Sequence, residues 1–254
     1  MIADDICRHI RTHYPEQRIA DVRIGLGYTA VLLEDGNAGV AYTFKENLSE
    51  GCSIFIGMRP LVGKSTHDLL GYMGSARLIE SSVGVAVANA LVNRDVGNAG
   101  DILSVLELRK EDRVGMVGFF GPLIPALKKT VKELFIFEKV VQRAPGLFPS
   151  ELAQKELPNC DVALITSTSL INGTIDSLLA AAAQCREVVL LGASTLLLPS
   201  IFSSHHVTLL SGVVITDPAG IARIVSEGGG MRFFKGYITK ANFRINAFTA
   251  ETGE

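Results

Sequence analysis

The chain has 254 residues, 48% of them hydrophobic and 20% charged, with a formal net charge of −2. That is a globular composition, long enough for one large or two small cores, and it excludes a disordered chain. With no surplus of Lys or Arg to displace counterions from a phosphate backbone, no nucleic-acid partner is expected.

The opening residues Met1-Ile2-Ala3-Asp4-Asp5 are acidic and lead into no apolar core, so no signal peptide is expected. The longest apolar runs, such as residues 83–92, are broken by Gly84 and Asn89. They fall short of the ~20 residues that a membrane span needs. Cys7, Cys52, Cys160 and Cys185 lie far apart with no Cys-x-x-Cys pair. A reduced, cytoplasmic protein without a disulfide framework or zinc ribbon is the expectation.

Residues 2–14 read as a helix, because Ile2, Ala3, Ile6, Ile10 and His13 share one stripe before Tyr14-Pro15. The period then changes to two. Val22, Ile24 and Leu26, then Val31 and Leu33, then Val40, Tyr42 and Phe44 alternate, with a hairpin signal at Glu34-Asp35-Gly36-Asn37. Residues 64–110 turn helical again. Over 78–92, Ile79, Val83, Ala86, Val87, Ala90 and Leu91 form one stripe, while Val85, Ala88 and Val92 add apolar surface opposite. A helix apolar nearly all round is buried, here between the meander and a second domain. Asp101 is expected to cap a short helix running to Leu108.

From Arg113 onward short β-branched runs alternate with helical ones. Strands are expected over 114–118, 134–138, 161–166, 187–192 and 207–216, with helices over 122–131, 150–157, 174–184, 199–204 and 218–226. Such alternation implies a parallel sheet covered on both faces, a Rossmann-type α/β domain with its ligand at the carboxyl ends of the strands. Gly228-Gly229-Gly230 closes it. The tail carries Phe233, Phe234, Tyr237 and Phe243, enough aromatics to pack back on the protein.

Several loops at the carboxyl edge could carry chemistry. The first reads Gly115-Met116-Val117-Gly118-Phe119-Phe120-Gly121-Pro122. Glycine permits close backbone approach, Pro122 suits a first helical position, and the helix start favours an anion. Its Gly-x-x-Gly-x-x-Gly spacing is not the Gly-x-Gly-x-x-Gly of dinucleotide binders, and a tight turn that needs glycine explains it equally. Glu138 ends the second strand, where an acidic side chain can accept ribose hydroxyls, or can simply be solvated. The third strand leads to Thr166-Ser167-Thr168-Ser169 and Asn172-Gly173-Thr174. Thr166, Thr168 and Asn172 are the freer candidates, Thr174 being a helix N-cap. Ser194 and Thr195 would face the same crevice, and Asp217-Pro218 reads as a cap for the last helix.

Other motifs do not complete themselves. Residues 57–65 resemble a phosphate-binding P-loop, but Met58 stands where its first glycine must be. His9 and His13 have helical metal-ligand spacing, yet no third ligand is identifiable, and a surface pair explains them as well. No Gly-x-Ser-x-Gly elbow is present.

Taken together, residues 114–122, Thr168-Ser169-Leu170-Ile171-Asn172-Gly173-Thr174-Ile175-Asp176, Leu191-Gly192-Ala193-Ser194-Thr195 and residues 211–218 resemble the prokaryotic family described as "putative heavy-metal chelation". Residues 24–31 and Ala88-Asn89-Ala90-Leu91 resemble its first domain. The resemblance implies an α/β chain in which a small α+β, enolase N-terminal-like domain (1–110) precedes a Rossmann-like domain (111–230) and a tail (231–254). It also implies a site in the cleft between them, with Gly118, Gly121, Glu138, Thr168, Asn172 and Asp217 facing Tyr28, Thr29 and Asn93. The expected ligand is a small anionic or metal-associated compound, the cofactor a transition metal ion. The alternative is an enzyme using S-adenosylmethionine or NAD at the Gly118/Gly121 loop and Glu138. A non-catalytic assembly role is a third reading, and a homodimer is compatible with all three.

Overall fold

An amphipathic stripe opens the chain. Ile2, Ala3, Ile6 and Ile10 are buried along one side of α1 (Ile2–His13), with acidic side chains in its first turn and basic ones in its last, as the helix dipole favours. The computed structural model describes residues 1–44, 54–139 and 146–245. After α1, strands β1 (Ile19–Ile24), β2 (Tyr28–Leu33) and β3 (Ala38–Tyr42) form an antiparallel sheet in that order. The hairpin at residues 34–37 joins β2 to β3, with Gly36 at φ +86° and the Asp35 carboxylate accepting from the Asn37 amide.

The stretch 64–110 is helical only in part. Helices α2 (Thr66–Leu70) and α3 (Leu78–Val92) form, and then the chain passes irregularly through the two-residue strand β4 (Asn98–Ala99). Asp101 does act as a cap, accepting from the Leu103 amide at 3.1 Å, but only for a 3-10 turn over Ile102–Ser104. Beyond Ser104 the chain leaves the helix expected to reach Leu108, and arginine side chains from far along the sequence take two of its carbonyls. Arg244 donates to the Val105 carbonyl and Arg186 to that of Glu107.

The second sheet is larger. Strands β5 (Arg113–Val117), β6 (Glu133–Glu138), β7 (Leu147–Pro149), β8 (Val162–Thr166), β9 (Glu187–Leu191), β10 (Leu209–Ile215) and β11 (Ile238–Arg244) lie in the order β7-β6-β5-β8-β9-β10-β11. All pairings are parallel except that of β11, which runs antiparallel to β10 from Leu209↔Arg244 to Ile215↔Ile238. Helices α4 (Ile124–Thr130), α5 (Ala153–Glu156), α6 (Ile175–Ala181), α7 (Pro199–Phe202) and α8 (Pro218–Ser226) intervene. The chain therefore winds outward from β5 in both directions, and a topological switch point falls between β5 and β8. Strand β11 and β7 were not distinguished in the sequence, where β7 is too short and β11 is too polar to show a period. At the amino edge of the sheet two buried carboxylates are each matched by an arginine. Asp112 takes Arg186 at 2.9 and 3.0 Å, and Glu187 takes Arg244 at 2.8 and 2.9 Å.

Helix α3 is buried from Ile79 through Val92. It lies against one face of the small sheet so closely that a Cβ on Gly39 of β3 would stand 2.2 Å from the Ala90 nitrogen. The opposite face, Ala30 and Val40, shares an apolar cluster with Val213, Ile221, Val225 and Phe234. The small sheet, apolar on both faces, carries α3 on one side and α8 on the other, and the buried residues of α3 also share a core cluster with Leu196, Leu197, Leu198 and Phe202.

The end of α3 is anchored to the large sheet. Asn93, buried, donates to the carbonyls of Thr195 (2.8 Å) and Val213 (3.2 Å) and accepts from the Leu197 amide (2.9 Å). Replacing it by Ala strands two buried carbonyls and one buried N–H, at a cost of about 2–4 kcal/mol. Urea unfolding of Asn93→Ala should show a lower midpoint with an unchanged slope. An unaltered midpoint would mean that this amide is not a tie.

Candidate functional site

A cavity of about 500 Å³ opens at the carboxyl ends of β5, β6 and β8, beside the switch point. The chain turns there on Gly118, whose φ of +94° suits glycine and whose added Cβ would stand 3.0 Å from Thr166 Cβ. The Gly118 amide donates to the Phe137 carbonyl at 2.9 Å, which binds this turn to β6. Glu138 ends β6 with Oε1 accepting from the Lys139 amide at 2.7 Å. From β8 come Thr166 and Thr168, their hydroxyl oxygens 3.0 Å apart, and then Asn172, whose carbonyl oxygen accepts from the Thr174 amide (3.2 Å) and hydroxyl (2.7 Å). Gly118, Glu138, Thr166, Thr168 and Asn172 therefore line one space. Thr174 lines it too. It stands at the cap position of α6, but its side chain serves Asn172 and makes no cap bond.

The opposite wall comes from the small sheet. Tyr42 at the end of β3 and Phe44 just after it line the cavity, joined by Phe119, Phe120 and Phe137 from the large sheet. Tyr42 and Phe44 meet edge to face with centroids 5.0 Å apart. The Lys139 ammonium lies 5.1 Å from the Phe44 ring centroid. Glu151, Ser150 and Gln154 complete a polar side. None of these was singled out in the sequence, where Tyr42 and Phe44 read only as alternating strand residues.

The remaining sequence candidates lie elsewhere. The Phe119 ring stands over Gly121, where an added Cβ would meet it at 3.2 Å. Helix α4 starts at Ile124 rather than at Pro122, and the amides of Leu123 and Ile124 are already given to the carbonyls of Phe120 and Gly121. Ser194 accepts from the Tyr42 amide at 2.9 Å, and the Thr195 hydroxyl pairs with that of Ser167 at 2.7 Å. Both are buried. Thr29, fully buried, pairs with the Thr43 hydroxyl at 2.9 Å. Tyr28 packs against Tyr42 and Phe234, and burial, with Tyr42 beside it, pushes its hydroxyl up to about 12. Asp217 caps α8 by accepting from the Gly220 amide at 2.9 Å. Gly121, Ser194, Thr195, Thr29, Tyr28 and Asp217 are not among the cavity's described lining.

Soft metal donors are scattered. Among the described residues no three His, Cys, Asp or Glu side chains are grouped to hold an ion. His9 and His13 stack face to face at 4.2 Å, and burial together with the neighbouring His13 holds His9 below its ordinary pKa. Cys7 donates to the Leu70 carbonyl at 3.4 Å. Burial pushes the Cys160 thiol up to about 11 and that of Cys185 to about 12. Cys52 lies outside the described residues. In the P-loop-like stretch, Ser65 caps α2 through the Asp68 amide, so it is a loop and helix start. Among the described residues no helix is long and apolar enough to cross a membrane.

Comparison with known proteins places this geometry in a family. A family model described as "putative heavy-metal chelation" matches residues 101–244, and a second with the same description matches residues 8–92. An uncharacterized protein of Methanocaldococcus jannaschii is 24% identical over 242 residues, 90% of each chain. A crystal structure of a Pyrococcus horikoshii protein of unknown function matches with a TM-score of 0.83 and 22% identity, covering 96% of this chain and 100% of that one. A second, from Desulfitobacterium hafniense DCB-2 and also of unknown function, matches with a TM-score of 0.78 and 22% identity, covering 95% and 98%. At such identities the likeness to both structures is one of fold.

The two buried thiols yield a pH dependence with a definite sign. Folding keeps Cys160 and Cys185 protonated, so above roughly pH 9 the unfolded chain loses their protons first. Their contribution is intact below that point and falls as pH rises toward their folded values of about 11 and about 12. Each thiol should cost on the order of 1 kcal/mol per pH unit in this window. Unfolding free energies measured from pH 8 to 10.5 should fall less steeply in the Cys160→Ala/Cys185→Ala variant. Equal slopes would contradict the assigned burial effect.

Proposed function

The chain belongs to the family described as "putative heavy-metal chelation", and from that premise we propose that it captures a small, metal-associated compound in a cleft between its two sheets. The observation that carries the reading is the cavity itself, with Gly118, Glu138 and Thr166 on one wall and Tyr42 and Phe44 on the other. Ligands of open α/β sheets bind at that edge, beside the switch point.

The donor chemistry narrows the compound. Soft heavy metals select thiolate and imidazole, whereas this lining offers carboxylates, hydroxyls and two amides. A bare soft ion does not fit that set. A metal already held by a small organic chelator does, because its outer shell needs hydrogen-bond partners and flat apolar contacts. Residues Thr166, Thr168 and Asn172 would bind such a shell, and Tyr42 and Phe44 would exclude water from its other side. A free anion is the poorer ligand. Among the described lining residues two carboxylates, Glu138 and Glu151, outnumber the single ammonium of Lys139. The helix start at Gly121-Pro122 has little to add, since its next two amides are spent.

One observation favours a second reading. Glu138 ends β6 in the same cavity as Gly118, the placement from which a carboxylate can accept ribose hydroxyls of a cofactor such as S-adenosylmethionine or NAD.

Thermal unfolding separates the two. Nickel together with a small chelator such as histidine should raise Tm by about 5 °C at a hundredfold excess over Kd. The shift should disappear in Glu138→Ala and be absent with nickel alone. A shift produced only by S-adenosylmethionine or NAD would favour the cofactor reading. Equal stabilisation by the free ion would contradict capture of a chelate.

A further inference from the structure

We infer that the compound held in this cavity presents a positively charged organic group to the ring of Phe44, with Glu138 and Glu151 as its counter-charges. The inference rests on the cavity being the binding site and specifies the chemistry that site selects.

The argument starts from what already touches Phe44. This ring is buried and lines the cavity, and the Lys139 ammonium lies 5.1 Å from its centroid, within the range over which a cation is drawn to an aromatic face. The protein thus shows on its own side chain what the ring attracts. Tyr42 and Phe44 meet edge to face, with centroids 5.0 Å apart and an interplanar angle of 87°, an arrangement that aromatic pairs prefer. Phe120 and Phe137 extend the apolar lining from the large sheet.

Among the described lining residues carboxylates outnumber ammonium groups. Lys139 answers at most one of the two carboxylates in the lining, which leaves the described wall with a negative balance. A cation entering the cavity meets a ring face and an unbalanced carboxylate together. A neutral molecule of the same shape meets only the apolar surface, and an anion meets repulsion. Lys139 is in this view a tethered occupant of the cation position, which an incoming ligand displaces.

A matched pair of probes tests this on the full chain. Choline and 3,3-dimethylbutan-1-ol have nearly the same shape and differ in charge. Titrations followed by the amide resonances of Thr166 and Thr168 should give choline the tighter binding, by about three- to thirtyfold. Phe44→Leu should remove the preference. Lys139→Met, which removes the ammonium from the lining and keeps a side chain of similar length there, should strengthen choline several-fold and leave the alcohol nearly unchanged. Equal affinities, or a Lys139→Met variant that binds choline no better, would overturn the inference. If choline does not bind while nickel–histidine still raises Tm, the cation inference fails and the site stands. If neither acts, the reading of the cavity fails with it.

Discussion

A buried amide at the end of α3 governs how the rest of the molecule is arranged. Asn93 holds the Thr195 and Val213 carbonyls and the Leu197 amide, so the helix that backs the small sheet is fixed to the strands of the large one. The Tyr42 amide on Ser194 is a second tie between the sheets, and the Ser82 hydroxyl of α3 holds the Tyr42 carbonyl at 2.7 Å. Both groups of Tyr42's backbone are thereby committed, and the strand end that carries Tyr42 and Phe44 is set against the carboxyl edge of β5, β6 and β8. An unpaired polar group at this depth would cost more than any single apolar contact there supplies. The cavity's second wall is a consequence of those bonds.

The fold was largely legible because its signals are local. Alternating β-branched runs and helical stripes from Arg113 onward specify the parallel sheet, and Ile79 through Val92 specify a buried helix by having no polar face. What escaped were elements decided at a distance. The irregular segment after the turn at Ile102 is held by Arg186 and Arg244, far along the chain, which donate to the Glu107 and Val105 carbonyls. Strand β11 carries Lys240, Asn242 and Arg244, and only its pairing with β10 makes it a strand.

The candidate site was legible on one side only. Gly118, Glu138, Thr166, Thr168 and Asn172 could be named because strand ends in an open sheet are consecutive features of the sequence. Ser194, Thr195 and Thr29 sit in the right neighbourhood, yet their hydroxyls are turned into the protein and bonded there. Sequence position gives the strand end but not the direction in which a side chain faces. Tyr42 and Phe44 reach the cavity only through the packing of one sheet on another. That packing brings aromatic rings to the cavity, while the helix start that the glycines suggested has its next two amides already bonded.

The account depends on the two sheets behaving as one cooperative body. Native-state hydrogen exchange measures this directly. The amide of Tyr42 and the core amides of α3 should open with the same free energy and denaturant dependence as those of β8 and β9. Exchange of the β2–β3 and α3 amides through a separate, lower-energy opening, with the large sheet still protected, would contradict it.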